Sequence, residues 1–170
     1  MTISLEQMMK VITDRTSGFL KEETYINVES NEFVFDNNQP PVLKHLTALV
    51  SINSNINVYI AFSFDEPLIE QAFTAFTADI DIEPDEREEY IEETASEIIN
   101  IVIGNATADF QDKKAVVSFS PPVVISNAKR LVHHKDAKFF TSNLHTNHGE
   151  MSIFCIGPSQ LFNEQLQTII

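Results

Sequence analysis

The stretch LTALVSINSNINVYIAFSFDEPLIEQAFTAF, residues 46–76, decides the fold class. Residues 46–52 and 56–64 are dense in Val, Ile, Phe and Tyr, which suit a pleated, half-buried surface. Asn53-Ser54-Asn55 lies between them, so the two runs read as a hairpin. Asp65-Glu66-Pro67 then opens a helix to about Thr77, with Leu68, Ile69, Ala72, Phe73 and Phe76 on its inner side. Proline costs nothing in a first helical turn, because an N–H there has no helical partner. Two adjoining strands followed by a helix depart from the alternation that builds parallel sheets.

Upstream, residues 4–17 read as a helix with Ser4 as N-cap and Leu5, Met8, Met9 and Ile12 at helical spacing. Gly18 fits its C-terminal stop. Residues 24–35 alternate as a strand, and residues 37–41 form a loop. Downstream, residues 79–90 lead through Pro84 into a longer helix over about 84–110. Short strands follow at 115–119 and 123–125, with Pro121-Pro122 between them. Residues 137–145 and 150–156 form a closing hairpin around Asn147-His148-Gly149. Grouped strands and grouped helices predict an α+β fold with an antiparallel β-sheet packed against helices. One domain spans residues 1–157, and 158–170 is a tail or short helix.

Among the 170 residues, 11 are Lys or Arg and 25 are Asp or Glu, a formal charge of −14. Nine of the acids fall in residues 79–93, against the single Arg87, so that stretch alone carries −8. This sign opposes binding to nucleic acid or an anionic membrane, both of them polyanions. Cys155 is the only cysteine, which excludes an internal disulfide and multi-cysteine metal sites and fits a reducing compartment. It lies in the apolar run MSIFCI and reads as a core residue. The start MTISLEQMMKVITDR lacks the basic and apolar regions of a secretory leader. Glycines stand only at 18, 104, 149 and 157, so no phosphate-cradling glycine loop exists. The expectation is a soluble, cytoplasmic domain.

Residues 91–107, IEETASEIINIVIGNAT, hold the candidate chemistry. Wound at about 100° per residue, Glu93, Ser96, Glu97, Asn100, Gly104 and Thr107 fall within roughly 60° of one line. Ile91, Ala95, Ile98, Ile99, Ile101, Val102, Ile103 and Ala106 fill the rest. Glu97 and Asn100 are side-by-side neighbours at three-residue spacing. Gly104, one turn beyond, would let another surface approach closely. A carboxylate can pair with a cation, and a carboxamide can both donate and accept, so it can orient a water. Neither is a nucleophile or a metal site alone, and the pair suits a protein that completes another protein's active site.

The segment EIINIVIGNA resembles the E-x-x-N … G-N-A signature of the CheX and CheC chemotaxis phosphatases, with Glu97, Asn100, Gly104, Asn105 and Ala106 all matching. The order of elements around it is similar as well. CheC-type members carry two such signatures. Here Glu6 is followed by Met9 and Glu70 by Phe73, so the single pair is the CheX-like arrangement. The resemblance implies a CheX-like fold and a phosphatase acting on the aspartyl phosphate of a CheY-type response regulator. It implies that Asn100 holds the water, that Glu97 pairs with the regulator's lysine, and that Glu93, Ser96 and Gly104 border the docking stripe. It also implies Mg²⁺ supplied by the regulator, no cofactor of the chain's own, and a homodimer. The alternative is a non-catalytic binding or scaffold domain of the same fold. Residues 46–64 lack the glycines usual in the family's first strand pair, and Ser126-Asn127 replaces a usual glycine.

Two further groups have plainer readings. His133, His134, His145 and His148 suggest a metal site, but few acids accompany them, and ordinary loop and hairpin histidines are the expectation. KRLVHHKDAK, residues 129–138, is locally basic and reads as surface that balances the acidic segment.

Overall fold

The computed structural model describes residues 5–37, 41–53, 57–110, 118–129 and 137–158. In chain order the elements are α1 (Leu5–Thr24), β1 (Val28–Asn37), β2 (Leu46–Asn53), β3 (Asn57–Phe64), α2 (Glu66–Phe76) and α3 (Arg87–Phe110). They are followed by β4 (Ser118–Phe119), β5 (Val123–Ser126), β6 (Ala137–Thr146) and β7 (Gly149–Pro158). The strands form one sheet in the order β1-β6-β7-β3-β2-β4, and β5 also pairs with β2. Every pairing between named strands is antiparallel, so the α+β expectation holds. No described helix is long and apolar enough to cross a membrane.

Strand alternation sends two sets of side chains to opposite faces. Ile60, Phe62 and Phe64 of β3 stand beside Cys155, Ile153 and Met151 of β7, and all are buried on the helix-bearing face. Ala48, Val50 and Ile52 of β2 and Phe140 and Leu144 of β6 extend that surface. Met8, Met9, Ile12, Leu68, Ile69, Ile98, Ile99 and Val102 of the three helices close over it. Burying each phenylalanine ring is worth roughly 3 kcal/mol. A smaller apolar group, Leu43, Ala61, Phe139, Phe154 and Ile156, occupies the opposite face, and Leu43 N–H donates to the carbonyl of Lys129 at 3.1 Å. Cys155 is fully buried, and burial pushes its thiol pKa up, so it stays protonated and inert, as expected of a core cysteine.

Several boundaries differ from the sequence reading. Helix α1 does not stop at Gly18 but runs on to Thr24. Its last turns bury Leu20 and Thr24, and that burial outweighs one internal glycine. The stop is Tyr25 at φ 60°, with Ile26 N–H donating to the Leu20 carbonyl at 3.1 Å. A non-glycine residue in the left-handed region costs about 1 kcal/mol in strain. Strand β1 starts at Val28 rather than residue 24, and α3 starts at Arg87 rather than residue 84. Residues 46–53 and 57–64 pair as the hairpin reading requires, and β6 and β7 pair across the Asn147-His148 turn with Gly149 at φ 99°. Asn37 ends β1 and does not open the loop expected over 37–41; residues 38–40 of that loop, with Ser4, Ser54, Asn55, residues 115–117 and residues 159–170, lie outside the described residues.

Asp65 shows how sheet and helices are joined. It stands at the N-cap of α2, yet its side chain does not cap the helix. Its Oδ2 accepts from Glu150 N–H at 2.8 Å, and Asp65 N–H donates to the Glu150 carbonyl at 2.9 Å. Lys44 Nζ lies 3.2 Å from Glu150 Oε2 and 3.6 Å from Asp65 Oδ1, while His145 Nδ1 meets Glu150 Oε1 at 2.7 Å. Lys44 above all, then His145, holds the Glu150 carboxyl below the ordinary carboxylate range, against the upward push of its partial burial. Because the folded pKa is the lower one, the network stabilises above the unfolded carboxylate value and fades as pH falls through the folded value. Its members are partly exposed, so the effect is small. Glu150→Gln is expected to cost less than about 1 kcal/mol at pH 7. The difference from wild type should shrink toward zero below about pH 4, read by urea unfolding across pH. A cost that persists in acid would contradict the electrostatic account.

Candidate functional site

Helix α3 is covered by α1, α2 and strands β2, β3 and β5. Apolar residues recur around most of its circumference, so most of it is buried: Ala95, Ile98, Ile99, Ile103 and Ala106 are all fully inaccessible. One line stays open. Glu93, Glu97 and Asn100 are exposed, and Ser96 and Gly104 are half-buried beside them. The stripe read from the sequence is therefore a surface feature from 93 to 104. Thr107 is the exception: it is buried, and its hydroxyl donates to the carbonyls of Ile103 at 2.8 Å and Gly104 at 3.0 Å. A threonine can satisfy its own hydroxyl within the helix, so hydroxyl polarity did not predict exposure. Asn105 is exposed but lines a different groove, with Arg15, Phe19 and Glu22 of α1.

Among the described residues, neither Glu97 nor Asn100 is held by a side-chain hydrogen bond or an ion pair. Their polar atoms are available to a partner. The nearest cation of the acidic tract is not: Arg87 pairs with both carboxylate oxygens of Glu70 and lies 5.1 Å from the centre of the Phe73 ring. The stripe thus presents carboxylates and a carboxamide against a negative surround. Gly104 sits beside β4, where an added Cβ would lie 3.7 Å from Phe119 Cζ, an ordinary contact distance. The chain's own packing therefore does not require glycine there.

A groove of about 370 Å³ adjoins the stripe between the end of α2 and the first turns of α3. Phe76, Thr77, Ile80 and Tyr90 line it together with Glu93, Thr94, Ser96 and Glu97. In the sequence, residues 79–90 read only as an acidic lead-in to α3. The available signal was Ile80, an apolar residue isolated between Asp79 and Asp81.

Two of the remaining candidates have structural roles. His145 is taken by Glu150, and His148 turns the hairpin, its N–H donating to Thr146 Oγ1 at 3.0 Å. His133, His134 and most of the basic segment, residues 130–136, lie outside the described residues. No group of three potential metal ligands occurs among the described residues.

Gly104→Ala is expected to raise the unfolding free energy by up to about 1 kcal/mol, because alanine is the better helix former and has room. Chemical denaturation reads this directly. A loss of stability would show that the fold itself needs the glycine.

Comparison with known proteins gives this geometry a family. No curated protein matches the chain. Among solved structures, a chemotaxis protein of Desulfovibrio vulgaris Hildenborough is similar at 20% identity and a TM-score of 0.74, covering 91% of this chain and 99% of that one. A CheX of Desulfovibrio desulfuricans is similar at 19% identity and a TM-score of 0.73, covering 87% and 97%. The crystallised CheX–CheY–BeF₃–Mg²⁺ complex of Borrelia burgdorferi contains a chain similar at 17% identity and a TM-score of 0.67, covering 88% and 96%. These likenesses establish the shared fold. The family model for the chemotaxis phosphatase CheX matches residues 46–145, from the start of β2 through α3 and into β6, and the chain belongs to that family.

Proposed function

We propose that this protein accelerates hydrolysis of the aspartyl phosphate of a CheY-type response regulator, with the α3 stripe inserted at the phosphorylated site. The observation that carries this reading is a helix with one broad side buried whose open line presents Glu97 and Asn100, both unpartnered among the described residues. Membership of a phosphatase family supports it, as does the crystallised complex of the Borrelia burgdorferi relative with CheY.

The chemistry follows from the two side chains. The Asn100 carboxamide donates and accepts, so it can hold a water in line with the phosphorus–oxygen bond. It is not basic, and a loose phosphoryl-transfer transition state does not demand a base. Water adds to phosphorus, the bond to aspartate breaks, and inorganic phosphate and a free carboxylate result. The regulator supplies the Mg²⁺ and a lysine, and Glu97 pairs with that lysine to hold the complex. Gly104 lets the partner approach the helix, while Glu93 and Ser96 border the contact. Fixing a water can contribute on the order of 10²-fold or more. A homodimer and a cytoplasmic setting accompany this reading through the family resemblance, and sedimentation analysis tests the former.

Asn100→Ala is expected to lose stimulated phosphate release, by roughly 10²-fold or more, while circular dichroism and the unfolding midpoint stay at wild-type values. Glu97→Lys is expected to weaken the complex by placing a like charge against the regulator's lysine. Near-normal turnover in the asparagine variant would overturn the assignment. Lack of stimulation by the wild-type protein toward every phosphorylated regulator of its organism would favour a non-catalytic scaffold.

A further inference from the structure

Beyond the Glu97–Asn100 pair, we infer that the groove between α2 and α3 is a second docking point, taking an apolar side chain of the regulator with a basic residue beside it. This rests on the phosphatase reading, and it names a part of the partner surface which that reading leaves open. The groove shares Glu97 and Glu93 with the stripe, so a body docked on the stripe lies against it.

Its floor and rim differ in chemistry. Phe76 and Tyr90 are half-buried and rest on the main core, which makes the floor rigid and apolar. Ile80 stands at the lip with 51% of its surface exposed. Its backbone position is set: the Ile80 N–H donates to the Thr77 carbonyl at 3.0 Å, which fixes the turn leaving α2. An isolated aliphatic residue within an acidic tract gains nothing by facing water, whereas its neighbour Ile82 is packed on the core. The rim is acidic through Glu93 and Glu97, and among the described residues no Lys or Arg lines the groove. Arg87 cannot swing in to neutralise it without leaving Glu70 and Phe73. An occupant that is apolar at its tip and cationic at its flank matches floor and rim together. An acidic or purely polar segment matches neither.

The test compares wild type with Ile80→Ser, Ile80→Leu and Asn100→Ala, using a beryllofluoride-activated, Mg²⁺-loaded regulator for affinity and its phosphorylated form for turnover. Ile80→Ser is expected to weaken binding and raise KM about tenfold, with kcat at saturation within twofold of wild type and an unchanged unfolding midpoint. Ile80→Leu should bind as wild type does. Glu93→Lys should weaken binding further and reduce its dependence on salt. Asn100→Ala should show the opposite split, losing kcat with affinity retained. Unchanged affinity in Ile80→Ser, alongside an inactive Asn100→Ala, would overturn the groove and leave the phosphatase reading intact. A wild-type protein that neither binds the activated regulator nor releases its phosphate would overturn both.

Discussion

The structure depends on the packing of α3 in a three-sided setting of α1, α2 and the sheet. The isoleucine, valine and alanine side chains of α3 drive one broad side of the helix into the core. The one line left open is then set by where neighbouring elements stop. Glu97 and Asn100 are held at the surface because the residues on either side of them are locked into the core. A rigid support of this kind lets two short polar side chains act without spending binding energy on ordering a loop.

Sheet topology provides that support. Strand β2 lies beneath α3, and its outer edge is shared by β4 and β5, so one strand carries two partners along its length. Phe119 of β4 reaches the core beside Gly104 and closes the far end of the stripe. At the near end, the Arg87–Glu70 pair and the stacked Phe73 ring tie the start of α3 to α2. Residues 79–93 hold −8 of the formal charge of −14: their one arginine is engaged within the fold, and among the described residues no Lys or Arg lines the groove beside the stripe.

What could be read in the chain beforehand was whatever local pattern controls. The β2–β3 hairpin, α2 and α3 follow from alternation and helical spacing, and the exposed positions 93, 97 and 100 follow from the angular placement of polar residues in an apolar helix. What escaped reading was set by distant contacts. Gly18 is a plausible helix stop, yet Leu20 and Thr24 bury against the rest of the molecule and carry α1 past it to an unlikely terminator, Tyr25. Thr107 lies on the polar line but hides its hydroxyl in the helix backbone. The groove at Ile80 needs α2 and α3 brought side by side, and the Lys44–Glu150–His145 cluster joins residues about 100 positions apart in sequence, which no local pattern encodes. Family resemblance reaches Glu97 and Asn100 by motif, and the geometry adds that both are exposed and, among the described residues, unpartnered.

On the proposed reading, the open line of α3 is the working surface of the protein. Amide chemical-shift mapping of the isotope-labelled chain, titrated with an activated, Mg²⁺-loaded regulator, tests it most directly. The largest perturbations are expected at residues 93–104, including the Asn100 side-chain amide, with the lip at Ile80 shifting in step. Perturbations confined to the edge strand β1 or to the reverse face around Phe139 and Phe154, with α3 unmoved, would contradict it.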